Sequence, residues 1–288
     1  MKKKVAIIGH GYVGKAIREF FENKFDIVVV DPTGSFWKND GGKVDIAPEL
    51  AKKEAREADM VVVCVPTPMT EGTGKVDTSI VEGVLSEFKD SPLVLIKSTI
   101  PPGTTERLAE QFDMQKRLVF SPELIGEGGY PLPVYQGMPH PTDMKQHHYF
   151  TFGGSREAVK KVIPFFTKVR GPFCEYKMTD ATTAELSKYM ENVWIATKVT
   201  FCNEMYDIAE MLKVDYNELR ELWLADGRVG KSHTIVYPDK RGFGGKCIPK
   251  DTNGLVEFAK TNGYEPVLLN AVLKANKNFN EENIGHGE

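Results

Sequence analysis

Cysteine is scarce and scattered in this 288-residue chain: Cys64, Cys174, Cys202 and Cys247 lie far apart, with no CxxC among them. That pattern speaks against a disulfide scaffold and against a zinc site, and no metal is expected. Long hydrophobic runs are also missing. Nothing approaches the ~18 consecutive apolar residues of a membrane span. The first apolar run, residues 5–8, is too short for the core of a signal peptide. Charge of one sign is not in excess either. A net charge of −3 creates no global basic field, so neither nucleic acid nor an anionic membrane is an expected partner. A local basic pocket for a small anion stays open. There is no internal repeat and no low-complexity segment. Together these absences place the chain in the cytoplasm by default.

What is present begins with a nucleotide-binding signature. Residues 5–8 form a short apolar run of strand type, and Gly9-His10-Gly11-Tyr12-Val13-Gly14 follows. An amphipathic stretch to Phe21 and a second buried-strand run at 26–30 complete a βαβ start. In this GxGxxG pattern Gly9 makes the tight turn, Gly11 admits a pyrophosphate to the backbone and Gly14 allows close helix–strand packing. The helix N-terminus then faces the phosphates. Asp31 ends the second strand, where it would accept hydrogen bonds from ribose hydroxyls and repel a 2′-phosphate. No arginine follows closely, so the expected cofactor is NAD rather than NADP.

Further apolar strand runs at 60–65, 93–96 and 118–120 alternate with helical patterns at 48–58 and 79–88. Residues 33–42, polar and glycine-rich, suggest a loop. Alternation of this kind implies a parallel sheet covered on both faces. Asp31, Thr67, Thr99 and Glu123 all fall at strand ends, where ligands of such folds sit. For any one of them alone a loop-capping role serves equally well. Cys64, inside a strand run, reads as a small core residue. Residues 131–148 are an irregular loop whose His140, His147 and His148 match no standard metal spacing. A strand at 149–152, a helix at 156–167 and an edge strand at 173–176 close the first domain. The expected architecture is a Rossmann-like, doubly wound α/β domain over 1–178, followed by an all-α domain over 179–288 with a long central helix.

That helix is a pattern over 180–212 without proline or glycine. Lys188 and Asn192 stand four residues apart on one face. They are either a solvated stripe with a snorkelling lysine, or a cation and an amide held rigidly over a reacting oxygen. A short helix at 215–224 and a loop at 226–241 follow. Then comes Gly242-Phe243-Gly244-Gly245-Lys246-Cys247-Ile248-Pro249-Lys250-Asp251, leading into a helix at 252–262 and a last one at 265–279. Pro249 suits a first helical position and Asp251 the positive end of a helix. A thiol there, between two lysines, is either an activated nucleophile or an inert buried cysteine. The segment alone does not choose.

With these motifs in order, the chain resembles the UDP-glucose/GDP-mannose dehydrogenases. The matching residues are the Gly9–Gly14 motif, Val65-Pro66-Thr67-Pro68, Ser98-Thr99-Ile100-Pro101-Pro102-Gly103-Thr104-Thr105 and Ser121-Pro122-Glu123. Further matches are Ala184-Glu185-Leu186-Ser187-Lys188 with Asn192, Lys198-Val199, Asn203-Glu204 and the Gly242–Asp251 segment. The resemblance implies NAD-dependent oxidation of a nucleotide-sugar alcohol, UDP-glucose first, to a uronate through a thiohemiacetal and a thioester at Cys247. It implies oxyanion stabilisation by Lys188 and Asn192, proton transfer by Asp251 with Thr99, and acid–base work by Glu123. It implies cofactor contacts from Gly9, Gly11, Tyr12, Val13, Gly14, Asp31, Thr67, Thr99, Glu127 and Lys250. Substrate contacts would come from Glu123, Lys188, Asn192, Arg228, His233 and Gly244. A homodimer is implied, and the family's C-terminal nucleotide-binding domain is absent from the matched pattern. Two other readings stand beside this one: a remnant that binds NAD or nucleotide sugar without turnover, and a two-electron β-hydroxyacid dehydrogenase, which would need no cysteine.

Overall fold

A computed structural model describes residues 2–70, 72–125 and 143–285. The chain runs through β1 (Lys4–Ile8), α1 (Tyr12–Phe21), β2 (Asp26–Val30), β3 (Phe36–Asn39), β4 (Gly42–Asp45), α2 (Pro48–Arg56) and β5 (Met60–Val63). It continues with α3 (Ser79–Glu87), β6 (Val94–Ile96), α4 (Thr104–Gln111), β7 (Leu118–Phe120), β8 (Tyr149–Gly153), α5 (Arg156–Arg170) and β9 (Glu175–Thr179). The strands form one nine-stranded sheet in the order β4-β3-β2-β1-β5-β6-β7-β8-β9. From β2 to β7 every neighbouring pair is parallel. Side chains of a strand alternate between faces, so strands apolar at every position supply two cores. Val5, Ile7, Ile27, Val29, Met60 and Val62 belong to one, and Ala6, Ile8, Val28, Val30, Val61 and Val63 to the other. The chain leaves β1 for β2 on one side and returns to β5 on the other. The carboxyl ends of β1 and β5 therefore flank the switch point, where doubly wound sheets bind their ligands.

The sheet is mixed at its edges, which the sequence pattern did not indicate. Residues 33–42 are not simply a loop: β3 and β4 form an antiparallel hairpin beside β2. Its turn is Asp40-Gly41, a two-residue hairpin signal, since Asn39 pairs with Gly42. β4 is wholly exposed and so carries no hydrophobic pattern, while Phe36 anchors the hairpin against the His10 ring at 5.2 Å between centroids. At the other edge β8 runs antiparallel to β7, and β9 lies parallel to β8. Helix α4 was also not expected, because Pro101-Pro102-Gly103 reads as a break. Gly103 takes a left-handed φ of 84° and caps the helix instead.

The helical part consists of α6 (Ala181–Leu212), α7 (Tyr216–Leu224), α8 (Cys247–Thr261) and α9 (Val267–Gly285). Asp215 caps α7, accepting from the Asn217 N–H at 2.7 Å. Two compact units result, and along the helical part the division falls within α6, after Lys188. The first turns of α6 belong with the sheet because Ala184 lies in its core and Glu185 bonds to the start of α4. Helix α8 begins at Cys247 itself, so Pro249 is its third residue and not its first. Among the described residues no helix is long and apolar enough to cross a membrane.

Candidate active site

The three glycines after β1 have distinct tasks. Gly9 has φ +90°, and a Cβ there would sit 2.6 Å from the Cys64 carbonyl oxygen. A Cβ on Gly14 would meet the Gly9 carbonyl oxygen at 2.1 Å, whereas one on Gly11 would meet nothing within 4 Å. Gly9 and Gly14 are thus demanded by packing, whereas within the protein nothing crowds a side chain at Gly11, which opens on space in front of the α1 N-terminus. Tyr12 and Val13 open that helix, and no side chain caps it, so its first N–H groups suit an anion. Gly11→Ala is expected to leave the melting temperature within about 2 °C of the parent while weakening NAD binding about tenfold or more, since the methyl group enters cofactor space. Calorimetric titration with NAD checks this. Gly14→Ala is the contrast, unfolding the domain before affinity can be read.

Asp31 follows β2 as expected. Its carboxylate accepts from the His10 N–H at 2.6 Å and from the Thr33 N–H at 2.8 Å. Burial pushes the Asp31 carboxyl up, but the Thr33 hydroxyl and these two N–H groups outweigh it and hold it below the usual range. It remains an anion at the lip of the switch point. The ends of β5 and β6 are stitched together: the Thr67 hydroxyl donates to the Thr99 carbonyl at 2.7 Å, and the Ser98 hydroxyl to the Val65 carbonyl at 2.7 Å. For Thr67 a loop-fixing role is therefore real, and its oxygen keeps acceptor capacity. Glu123 is buried after β7. One oxygen accepts from the Leu124 N–H at 2.9 Å, and the other lies 3.1 Å from the Lys97 ammonium. Lys97 also donates to the Ser121 hydroxyl and the Pro122 carbonyl. Lys97 was not singled out from sequence, although a lysine directly after an apolar strand was the available signal. Glu127 lies outside the described residues.

Glu185 is a second residue that sequence reasoning passed over. Fully buried on α6, it accepts from the Gly103 N–H at 2.6 Å, the Thr105 N–H at 2.8 Å and the Thr105 hydroxyl at 2.6 Å. It satisfies the orphan donors of α4 and ties Ser98–Thr105 to the helix that carries Lys188. Burial pushes its carboxyl up to about 7 in spite of these three bonds. The folded chain thus holds a proton that the unfolded chain releases near its ordinary value of 4.5. Its stabilising contribution is complete below that value and is lost as pH rises to about 7. Relative to Glu185→Gln, the parent is expected to lose on the order of 3 kcal/mol between pH 4.5 and 7.5, read by urea unfolding across that range.

In the helical unit two of the expected residues meet. Asn192 and Asp251 are both buried, and the Asn192 amide donates to an Asp251 carboxylate oxygen. The other Asp251 oxygen receives the Lys250 ammonium at 2.6 Å. Asp251 stands one turn after Cys247 on α8, so thiol and carboxylate share a helix face. Lys188 and Asn192 are buried, which removes the solvated-stripe alternative. Lys250, expected at the cofactor, forms an ion pair with Asp251. Cys64, Cys174 and Cys202 are buried, and Cys247 is partly exposed at the first position of its helix. Burial pushes the Cys64 thiol far up against the pull of Lys97, and burial raises Cys202 as well. Arg228 is exposed and paired with Asp226, its Nε 2.9 Å from a carboxylate oxygen. Lys198 holds the neighbouring turn by donating to the Gly230 carbonyl at 2.7 Å. His233 has a left-handed φ of 59°, and burial, with Lys198 adding, holds its imidazole below the usual range. Gly244 is exposed, with open space where a Cβ would be.

Residues 38–131 match the NAD-binding domain of the UDP-glucose/GDP-mannose dehydrogenase family, and residues 182–278 match its central domain. The chain belongs to this family. Its sheet domain carries the match to the family's NAD-binding domain. Among relatives, a UDP-glucose 6-dehydrogenase of Rickettsia conorii is 28% identical over 241 residues, covering 79% of this chain and 51% of the relative. UDP-glucose 6-dehydrogenase TuaD of Bacillus subtilis is 26% identical over 306 residues, covering 96% of this chain and 63% of the relative. The chain spans about half the length of the curated relatives it matches first. A UDP-glucose dehydrogenase structure from Pyrobaculum islandicum superposes with a TM-score of 0.76 at 24% identity, over 96% of this chain and 68% of that one. At that identity the likeness speaks for the fold.

Proposed function

We propose that this chain oxidises the primary alcohol of a nucleotide sugar, UDP-glucose first, to the uronate in two stages through Cys247. The observation that carries this reading is the buried Asn192–Asp251 bond one helical turn from a partly exposed thiol. A simple alcohol oxidation needs no cysteine. A four-electron oxidation must retain the aldehyde, and a thiol does so reversibly.

Gly9, Gly11, Tyr12, Val13, Gly14 and Asp31, with Thr67, Thr99, Glu127 and Lys250, would hold NAD, which would supply a hydride acceptor for each stage. The protein's part is proton and charge management. Asp251, with Thr99, takes the proton as the alcohol becomes an aldehyde. The Cys247 thiolate then adds to the aldehyde carbon, forming a C–S bond, and Lys188 and Asn192 stabilise the oxygen that becomes anionic. After the second oxidation the adduct is a thioester. Water directed by Glu123 attacks its carbonyl, the C–S bond breaks, and the uronate and the thiol are released. Lys97 keeps Glu123 in place for this step. Arg228, His233 and Gly244 are assigned to the substrate. A homodimer is part of the same reading, supported by the exposed Met190, Trp194, Phe201, Ile208 and Met211 on α6.

NADH formation with a panel of UDP- and GDP-sugars tests the proposal. Two NADH per sugar consumed supports it. NAD binding without turnover of any sugar would leave a non-catalytic binding protein, and one NADH per sugar a two-electron enzyme. Sedimentation equilibrium at assay concentration tests the dimer, which a monomer would exclude.

A further inference from the structure

The residues from Gly242 to Lys246 include three glycines, and Gly244–Lys246 are exposed just before Cys247. Glycine has the most backbone freedom to lose, so such a stretch does not place a thiol by itself. Its upstream end, however, is fixed by side chains from two helices. The Arg241 guanidinium is buried between two aromatic rings, 4.8 Å from the Tyr206 centroid and 5.0 Å from that of Phe279. Its Nε donates to the Asn203 side-chain oxygen at 2.7 Å, and its Nη2 to the Asn203 carbonyl at 3.0 Å and to Asp207 at 2.7 Å. The same Asn203 oxygen accepts the Gly242 N–H at 3.1 Å. From α9, the Asn276 amide reads the backbone of Phe243 twice, accepting its N–H at 2.6 Å and donating to its carbonyl at 3.0 Å. Gly242 has φ +74°, and a Cβ there would strike the Asn276 oxygen at 2.6 Å. Phe243 is buried with Ala196 and Val272.

We propose that Arg241 is a positioning residue for Cys247. Its stacked, forked guanidinium, with Asn203 and Asn276, sets where the glycine stretch enters α8, and so holds the thiol on the first turn of that helix. A lysine cannot replace it, since an ammonium is a point charge with neither the planar stack nor the fork. The inference rests on Cys247 being the nucleophile, but its test does not require turnover.

The test is the pH dependence of Cys247 alkylation by iodoacetamide, located by peptide mass, in the parent, Arg241→Met and Arg241→Lys. Releasing the entry of α8 withdraws the helix-end field from the sulfur. The alkylation midpoint is therefore expected to rise by about half a pH unit or more in both variants, with thermal unfolding still cooperative. If Arg241→Met does not fold, Asn276→Ala reads the same displacement with the Arg241 stack in place. A midpoint unchanged from the parent in a folded variant overturns the proposal, as does full restoration by Arg241→Lys. A raised midpoint supports it even if no nucleotide sugar is oxidised, so the two proposals fail separately.

Discussion

Cys247→Ser is expected to abolish uronate formation, with turnover falling on the order of a thousandfold or more. The substitution exchanges sulfur for oxygen at the first position of α8, where the side chain is partly exposed. Packing changes little, and the melting temperature is expected to stay within about 2 °C of the parent. A serine hydroxyl there has no accessible anionic form near neutral pH, while a thiol at a helix N-terminus does. Without the thiolate the aldehyde is not captured, and the second oxidation has no adduct to act on. Measured NADH should fall from two per sugar to one or fewer, and mass spectrometry of a quenched reaction should find no protein-bound adduct. Retention of two NADH per sugar by the serine variant would end the covalent mechanism. Cys64, Cys174 and Cys202 are the built-in controls, since burial removes each of them from such chemistry.

The second large effect is expected for Asn192→Ala. Its amide donates to an Asp251 carboxylate that is only 1% exposed. Removing the amide leaves that one oxygen buried without its donor, while Lys250 still pairs with the other oxygen, a cost of about 1–3 kcal/mol. The unfolding free energy should drop by roughly that amount. If Asn192 also donates to the developing oxyanion, turnover falls by about 10²–10³ on top of the stability loss. Asn192→Asp separates the two effects. It keeps the shape but sets two carboxylates together, so catalysis should be lost and stability should recover only at low pH, where one carboxyl is protonated. Urea unfolding and single-turnover NADH formation distinguish these outcomes. A destabilised Asn192→Ala with full turnover per folded molecule would make Asn192 a purely structural partner of Asp251.

The legible parts of this fold are those where periodicity and local chemistry agree. Apolar runs at 5–8, 26–30 and 60–65 read as strands buried on both faces, and an uninterrupted pattern over 180–212 reads as a long helix. The hairpin of β3 and β4 stayed hidden because its outer strand buries nothing, although Asp40-Gly41 marked its turn. Helix α4 stayed hidden behind Pro101-Pro102-Gly103, which reads as a break, and its N-terminal donors are met by Glu185, some eighty residues later in the chain. No local signal reports a cap from that distance. For the same reason Lys97 could not be seen as the partner of Glu123, nor Arg241 as a side chain held by two helices.

The sequence by itself determined the chemistry on offer: a dinucleotide turn at Gly9–Gly14, an acid at Asp31, a lysine and an amide one helical turn apart, and a thiol within a glycine segment. Each is a matter of residue type and short spacing, which the chain states directly. Only the tertiary structure decided which of these groups are held and by what. It buried Lys188 and Asn192 and brought Asn192 to Asp251 across 59 residues. It clamped Arg241 between rings from α6 and α9 and began α8 at Cys247 itself. Long-range partners and burial set the cost of moving a side chain, and neither is written in any local window of sequence.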